Sequence, residues 1–143
     1  NNAIYPWGNQ SINQLPLKAN FWQGHFPYKN SELDGFNETA PVGSYPPNNY
    51  GLYDISGNVW EWCSDFYDEN TYNSDYEKGA VKNPIGSVIS KIEKEYLVAH
   101  KVLRGGSYLC NDNYCSGYRV TRRMSVSKDT GLRHTGFRCV KDL

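Results

Sequence analysis

The 143-residue sequence predicts an α+β fold in which short strands are joined by long irregular loops. Ten prolines and glycines, from Pro6 and Gly8 to Pro46 and Pro47, punctuate the first 50 residues. They exclude long helices there, because proline removes a donor and biases its predecessor toward extended backbone. Leu, Ile, Val and Phe number only 29, whereas aromatic residues make up 15% of the chain and Tyr alone occurs twelve times. Trp and Tyr must therefore fill much of the core, with buried partners for their N–H and O–H groups. The β-rich runs are short, and polar, turn-forming stretches separate them.

Residues 1–50 read as loops with short extended pieces. Asn58-Val-Trp-Glu-Trp-Cys63 alternates as a short buried strand should, and Gly57 leads into it. Residues 68–83 are polar and charged and read as an exposed loop. Ile85, Val88, Ile89 and Ile92 stand at helical spacing, but Gly86 and two serines limit the segment to a short helix. Tyr96 to Leu103 is β-rich and ends at Gly105-Gly106, a strand. Ser107–Cys110, Ser116–Thr121 and Gly136–Val140 are further strand candidates. Loops this long in a single unit point to function carried on loops.

The chain has 15 basic and 15 acidic side chains, yet its charge is divided. Residues 31–79 hold ten acids against one Lys, a net of −9, and residues 104–143 hold eight Lys or Arg against three Asp, a net of +5. The acidic block reads either as a solvated surface or as a place where hard cations sit on oxygen ligands. The basic residues are scattered, which favours ion pairs to the acidic block or an anionic-ligand groove over a nucleic-acid tail. No stretch approaches the ~18 apolar residues of a membrane span, and Asn1 to Gly8 lacks signal-peptide character. The length allows one domain at most, either a mature chain or a fragment.

Cys110 and Cys115 enclose Asn-Asp-Asn-Tyr. Fully extended, this spacing would hold the α-carbons roughly 17 Å apart, but Asn and Asp favour turns that fold the segment back. Three readings of the pair stand open: a structural disulfide, a two-thiolate site that favours Cu(I) over Zn(II), or a redox-active pair. His25, His100 and His134 stand at no ligand-like spacing to it. Cys63 and Cys139 pair with each other or with nothing.

The motifs taken together are Tyr5-Pro-Trp-Gly8, Ala19-Asn-Phe-Trp-Gln-Gly24, Asp34-Gly-Phe36, Thr39-Ala-Pro-Val-Gly43, Tyr50-Gly-Leu-Tyr-Asp-Ile-Ser-Gly-Asn-Val-Trp-Glu-Trp62, Arg104-Gly-Gly-Ser-Tyr108 and Gly136-Phe-Arg-Cys139. In this set the chain resembles the formylglycine-generating enzyme, or sulfatase-modifying factor, family. The resemblance runs from end to end. It implies a C-type-lectin-like architecture, and residues 1–143 as one unit forming the C-terminal portion of the family domain, whose N-terminal portion is absent from the chain and would be a partner.

The implied activity is oxidation of a cysteine in a sulfatase polypeptide, within a Cys-x-Pro-x-Arg type motif, to formylglycine by molecular oxygen. Cys110 and Cys115 would bind Cu(I), Ser107 would make a polar contact near the reacting sulfur, and Trp60 would wall the oxygen pocket. Two Ca²⁺ sites are implied. The first uses Asn20, the Phe21 carbonyl, Asp34 and the Phe36 carbonyl. The second uses Asp54, the Gly57 and Val59 carbonyls, and Glu61, for which pairing with an Arg is the structural alternative. The alternative function is a non-catalytic, calcium-stabilised binding or display module of the same superfamily, which would have no use for the thiol pair.

The chain also departs from the family pattern. Val120 stands where animal members carry a structural cysteine, Cys139 matches another whose partner lies upstream of this chain, and Cys63 has no counterpart. The animal enzyme resides in the endoplasmic reticulum, and an extracytoplasmic or secretory compartment is the expectation here.

Overall fold

The computed structural model describes residues 2–82 and 99–141. A four-stranded sheet organises them. It contains β3 (Trp60–Phe66), β4 (His100–Arg104), β5 (Met124–Ser127) and β6 (Thr135–Gly136), after a small hairpin of β1 (Gly24–His25) and β2 (Lys29–Asn30). The strand order is β5-β4-β3-β6. β4 pairs antiparallel with both β3 and β5, and β6 joins β3 in parallel, setting Glu61 opposite Gly136. One helix, α1 (Thr71–Lys78), follows β3.

The strand predicted at 58–63 forms two residues later, as β3. Its entry is fixed by a close backbone approach: a Cβ on Gly57 would stand 2.3 Å from the Asn20 carbonyl oxygen, and φ there is +78°. Only glycine meets both conditions without strain. The Gly57 N–H donates to Gly105 O (2.8 Å), and the Asn58 N–H to Asn20 O (2.9 Å). The motif before β3 is thereby bound to two distant segments.

Several sequence expectations are corrected. Residues 68–83 were expected to be loop throughout, yet 71–78 form α1. This helix is polar, buries no residue, and has weak propensity of its own. Tertiary contacts hold it: Tyr72 Oη donates to Thr121 O (3.1 Å) and accepts from Arg104 (3.0 Å), and the Arg123 guanidinium lies 4.2 Å from the Tyr72 ring centre. Ser107–Cys110 and Ser116–Thr121 are turns, because Gly105 and Gly106 have positive φ and the Cys110 and Arg119 N–H groups bond back three residues. Of 136–140 only Gly136 is strand. β5 went unpredicted: Met124-Ser-Val-Ser alternates apolar and polar, but over only four residues, and it gains its ladder beside β4. The 96–103 strand is β4, starting at His100; residues 83–98, including the short helix expected at 85–92, lie outside the described residues.

The core contains Tyr5, Ile12, Phe21, Trp60, Leu103, Cys110 and Tyr118. Its aromatic make-up follows from the scarcity of aliphatic residues. Tyr5 stacks on Trp7 at 5.0 Å, and Phe21 meets Tyr118 at 5.8 Å. Two of the aromatic polar ends find partners: Trp7 Nε1 donates to Gln10 O (3.0 Å), and the Tyr118 hydroxyl donates to the Asp112 carboxylate, whereas the buried Trp22 Nε1 has none among the described residues. The basic C-terminal section does reach the acidic block, through Arg133 with Glu38 (3.3 Å) and Arg138 with Glu61. No described helix is long and apolar enough to cross a membrane.

Candidate functional site

Cys110 and Cys115 are joined as a disulfide, with their α-carbons 5.1 Å apart. The Asn-Asp-Asn turn does this work. Asn111 Oδ1 accepts from the Asn113 N–H (2.9 Å), its backbone carbonyl accepts from the Cys115 N–H (3.0 Å), and Asn111 Nδ2 reaches the Trp22 and Gly24 carbonyls (3.4 and 3.3 Å). The loop is thus both folded back and tied to the start of β1 and the segment leading into it.

Cys110 is buried and Cys115 half-buried. Ser107, also buried, directs its N–H at Cys110 Sγ (3.4 Å), while its hydroxyl accepts from the Leu109 N–H (3.3 Å). Trp60 lies beneath. A Cβ on Gly117 would meet Trp60 Cη2 at 2.4 Å, and one on Gly106 would meet Cys110 Sγ at 3.3 Å. Cys110, Cys115, Ser107 and Trp60, named from sequence as the catalytic set, are therefore brought together around two glycine backbones. Sequence reasoning missed the packing role of Gly106 and Gly117. It also missed an aromatic ledge beside the pair, in which Phe26 bridges Trp22 (5.2 Å, edge-on) and Tyr114 (4.6 Å, stacked). Position was the available signal: Trp22 lies inside a motif and Tyr114 between the two cysteines.

As donors for a metal, the cysteines offer two sulfurs once reduced. Among the described residues no group of three or more His, Cys, Asp or Glu gathers. A two-sulfur set suits a soft ion of low coordination number and not zinc, which takes four ligands in structural sites. The Ser107 N–H supplies a donor aimed at one of the two sulfurs.

The first set of predicted calcium ligands fits a hard cation. Asp34 Oδ2 accepts from the Phe21 N–H (3.1 Å) and Oδ1 from the Phe36 N–H (3.0 Å), so the Asp34 carboxylate is placed against both residues expected to give carbonyls. Asn20 Nδ2 is held by Glu38 O (2.7 Å), and Asn20 Oδ1 is buried with no hydrogen-bond partner. A buried oxygen with no partner, on the residue before Phe21, is a group that an oxygen-seeking ion would satisfy.

The second set does not fit in this arrangement. Arg138 grips the Glu61 carboxylate at two points, Nε to Oε2 at 2.7 Å and Nη2 to Oε1, and Nη2 also reaches the Tyr53 and Asp54 carbonyls (3.1 and 3.3 Å). Asp54 Oδ2 accepts from the Gly43 N–H (2.8 Å). The guanidinium supplies the positive charge that an ion would bring. Glu61 is paired with an Arg, as the structural alternative held.

Of the two remaining cysteines, both free, Cys139 is exposed and Cys63 half-buried. Burial, together with Asp65 beside it, pushes the Cys63 thiol up.

A short, curled sheet bearing long loops, with a two-sulfur turn packed on a Trp, defines a C-type-lectin-like α+β protein of the kind that builds chemistry on loops. The match to known proteins is specific: the Sulfatase-modifying factor enzyme 1-like domain covers residues 1–143, and the chain belongs to that family. It is 44% identical over 138 residues to a formylglycine-generating enzyme of Streptomyces coelicolor, covering 96% of this chain and 40% of that protein. It is also 36% identical over 139 residues to the inactive C-alpha-formylglycine-generating enzyme 2 of Mus musculus, covering 95% of this chain and 36% of that protein. In structure it is similar to PvdO from Pseudomonas aeruginosa, with a TM-score of 0.59 and 26% identity, over 84% of this chain and 37% of that one. The chain thus spans about two fifths of the length of these relatives.

Proposed function

We propose that this chain carries the catalytic loop of a copper-dependent oxidase that converts a cysteine in sulfatase peptides to formylglycine with molecular oxygen. The observation that carries the reading is the junction of buried Cys110 with half-buried Cys115 across a tight turn, with Ser107 and Trp60 packed near Cys110. A binding module has no need of two adjoining sulfurs there. The relatives named formylglycine-generating enzymes support formylglycine formation as the activity, and the substrate proposed for it is a polypeptide with a Cys-x-Pro-x-Arg type motif.

Each residue has a task in this reading. Reduced Cys110 and Cys115 hold Cu(I), which supplies oxygen-activating chemistry when bound. The Ser107 N–H steadies charge on the Cys110 sulfur, and its hydroxyl offers a polar contact to an incoming thiol. Trp60 keeps the floor of the site dry and fixes the two glycine backbones. Asn20, Phe21, Asp34 and Phe36 hold a structural Ca²⁺ that orders the segment to which the cysteine turn is tied. The pairing of two sulfurs accords with an extracytoplasmic or secretory setting.

The test is Cu(I) loading of the reduced, full-length protein, then mass analysis of a Cys-x-Pro-x-Arg peptide for the aldehyde. Loss of conversion in both Cys110→Ser and Cys115→Ser is expected. Conversion that survives both substitutions ends the copper-site reading, and peptide binding without conversion by the wild type points to a non-catalytic display module.

A further inference from the structure

Gln23 belongs to the Ala-Asn-Phe-Trp-Gln-Gly motif, yet the cysteine site makes no use of its side chain. It is buried, at 6% exposure. Its Nε2 donates to Asp34 Oδ2 (2.8 Å) and to the Phe21 carbonyl, while its Oε1 accepts from the Asp34 N–H (3.1 Å). A single amide therefore grips Asp34 at both backbone and side chain, and ties it to Phe21 thirteen residues earlier. Gln23 is itself fixed: its N–H donates to Asn30 Oδ1 (3.2 Å) and its carbonyl accepts from the Ser31 N–H (2.6 Å), which anchors it to the β1–β2 hairpin.

The lone-pair count shows what the clamp achieves. A carboxylate has about four acceptor positions. The Phe21 N–H and Gln23 Nε2 occupy two on Asp34 Oδ2, and the Phe36 N–H occupies one on Oδ1. One position on Oδ1 remains. The Phe21 carbonyl likewise keeps one after accepting from Gln23, and Asn20 Oδ1 keeps both. The spare acceptors therefore fall on the oxygens assigned to the first calcium site.

We propose that Gln23 is a positioning residue for that site, holding Asp34 and the Phe21 carbonyl in their ligating arrangement without itself binding the ion. The proposal rests on the calcium reading of Asn20, Phe21, Asp34 and Phe36. Hydrogen-bond partners of metal ligands orient them, and their loss typically weakens metal affinity about 10- to 100-fold.

Calcium titration of the full-length protein by calorimetry tests it, comparing wild type with Gln23→Met, which keeps side-chain volume and removes all three hydrogen bonds. The expected result is a Kd raised about 10- to 100-fold with unchanged stoichiometry. A residue that merely filled space would lower the melting temperature in chelator and leave Kd where it was. Equal Kd in the two proteins therefore overturns the proposal, while a wild type that binds no calcium overturns the underlying site. If Gln23→Met unfolds in chelator, the titration is followed as calcium-driven recovery of the near-ultraviolet circular dichroism signal. Recovery at the wild-type calcium concentration overturns the proposal, and recovery only at far higher calcium supports it.

Discussion

Gly117→Ala is expected to be among the most damaging small substitutions in the molecule. The added methyl would stand 2.4 and 2.6 Å from Trp60 Cη2 and Cζ2 and 2.9 Å from the Gly106 α-carbon, where ordinary contact begins near 3.4 Å. The indole or the backbone must shift by roughly 1 Å. Trp60 is only 4% exposed, so its ring has no free space to enter. Overpacking of this kind costs about 1–3 kcal/mol, and the double clash places it near the upper value. In urea unfolding a loss of ~3 kcal/mol lowers the midpoint by roughly 1–2 M. Trp60→Phe removes the clashing atoms and by itself should cost about 2 kcal/mol in lost burial. Combined with Gly117→Ala, it should cost much less, a coupling of roughly 2 kcal/mol. A single mutant within about 0.5 kcal/mol of wild type, or a double mutant that is simply additive within the same margin, would refute this account of how the ring packs.

Calcium should stabilise the full-length protein with one equivalent bound per chain, because Arg138 already occupies Glu61; at 100 times Kd the gain over chelator is about 2.7 kcal/mol, and an unchanged melting temperature would sink the first site. Arg138→Met should cost about 1 kcal/mol, since the two-point pair with Glu61 is partly exposed; urea melts at low and high salt check it. Burial, then the neighbouring Arg133, holds His134 below the usual imidazole range. Its folded pKa is depressed, so its contribution to stability is present above about pH 6.5 and is lost as pH falls through the folded value. His134→Gln should flatten the stability profile on that acid side, and a profile unchanged by the substitution counts against the assignment. Alkylation under native conditions should modify exposed Cys139 first and Cys63 slowly, because burial keeps the Cys63 thiol protonated; equal rates by mass spectrometry would contradict the described burial.

The sequence by itself determined the class of fold and the turn that brings the two sulfurs of the loop together. Proline and glycine density ruled out long helices, scarce aliphatic residues forced a core of Tyr, Phe and Trp, and Asn-Asp-Asn marked the turn that joins two sulfurs. These are local effects, set by backbone sterics and side-chain type, so they survive without knowledge of neighbours. Tertiary structure alone decided the rest. α1 exists because Tyr72 is caught between Arg104, Arg123 and Thr121, which no propensity of Thr71–Lys78 reveals. β5 exists because β4 offers it a ladder. Glu61 was legible as a charged residue between two tryptophans, but whether it meets an ion or a guanidinium depends on Arg138, 77 residues away. Gln23 reads as an ordinary polar residue until Asp34 is folded onto it. Long-range pairing selects among partners that local sequence leaves equivalent, and that selection places charge and hydrogen bonds in the site.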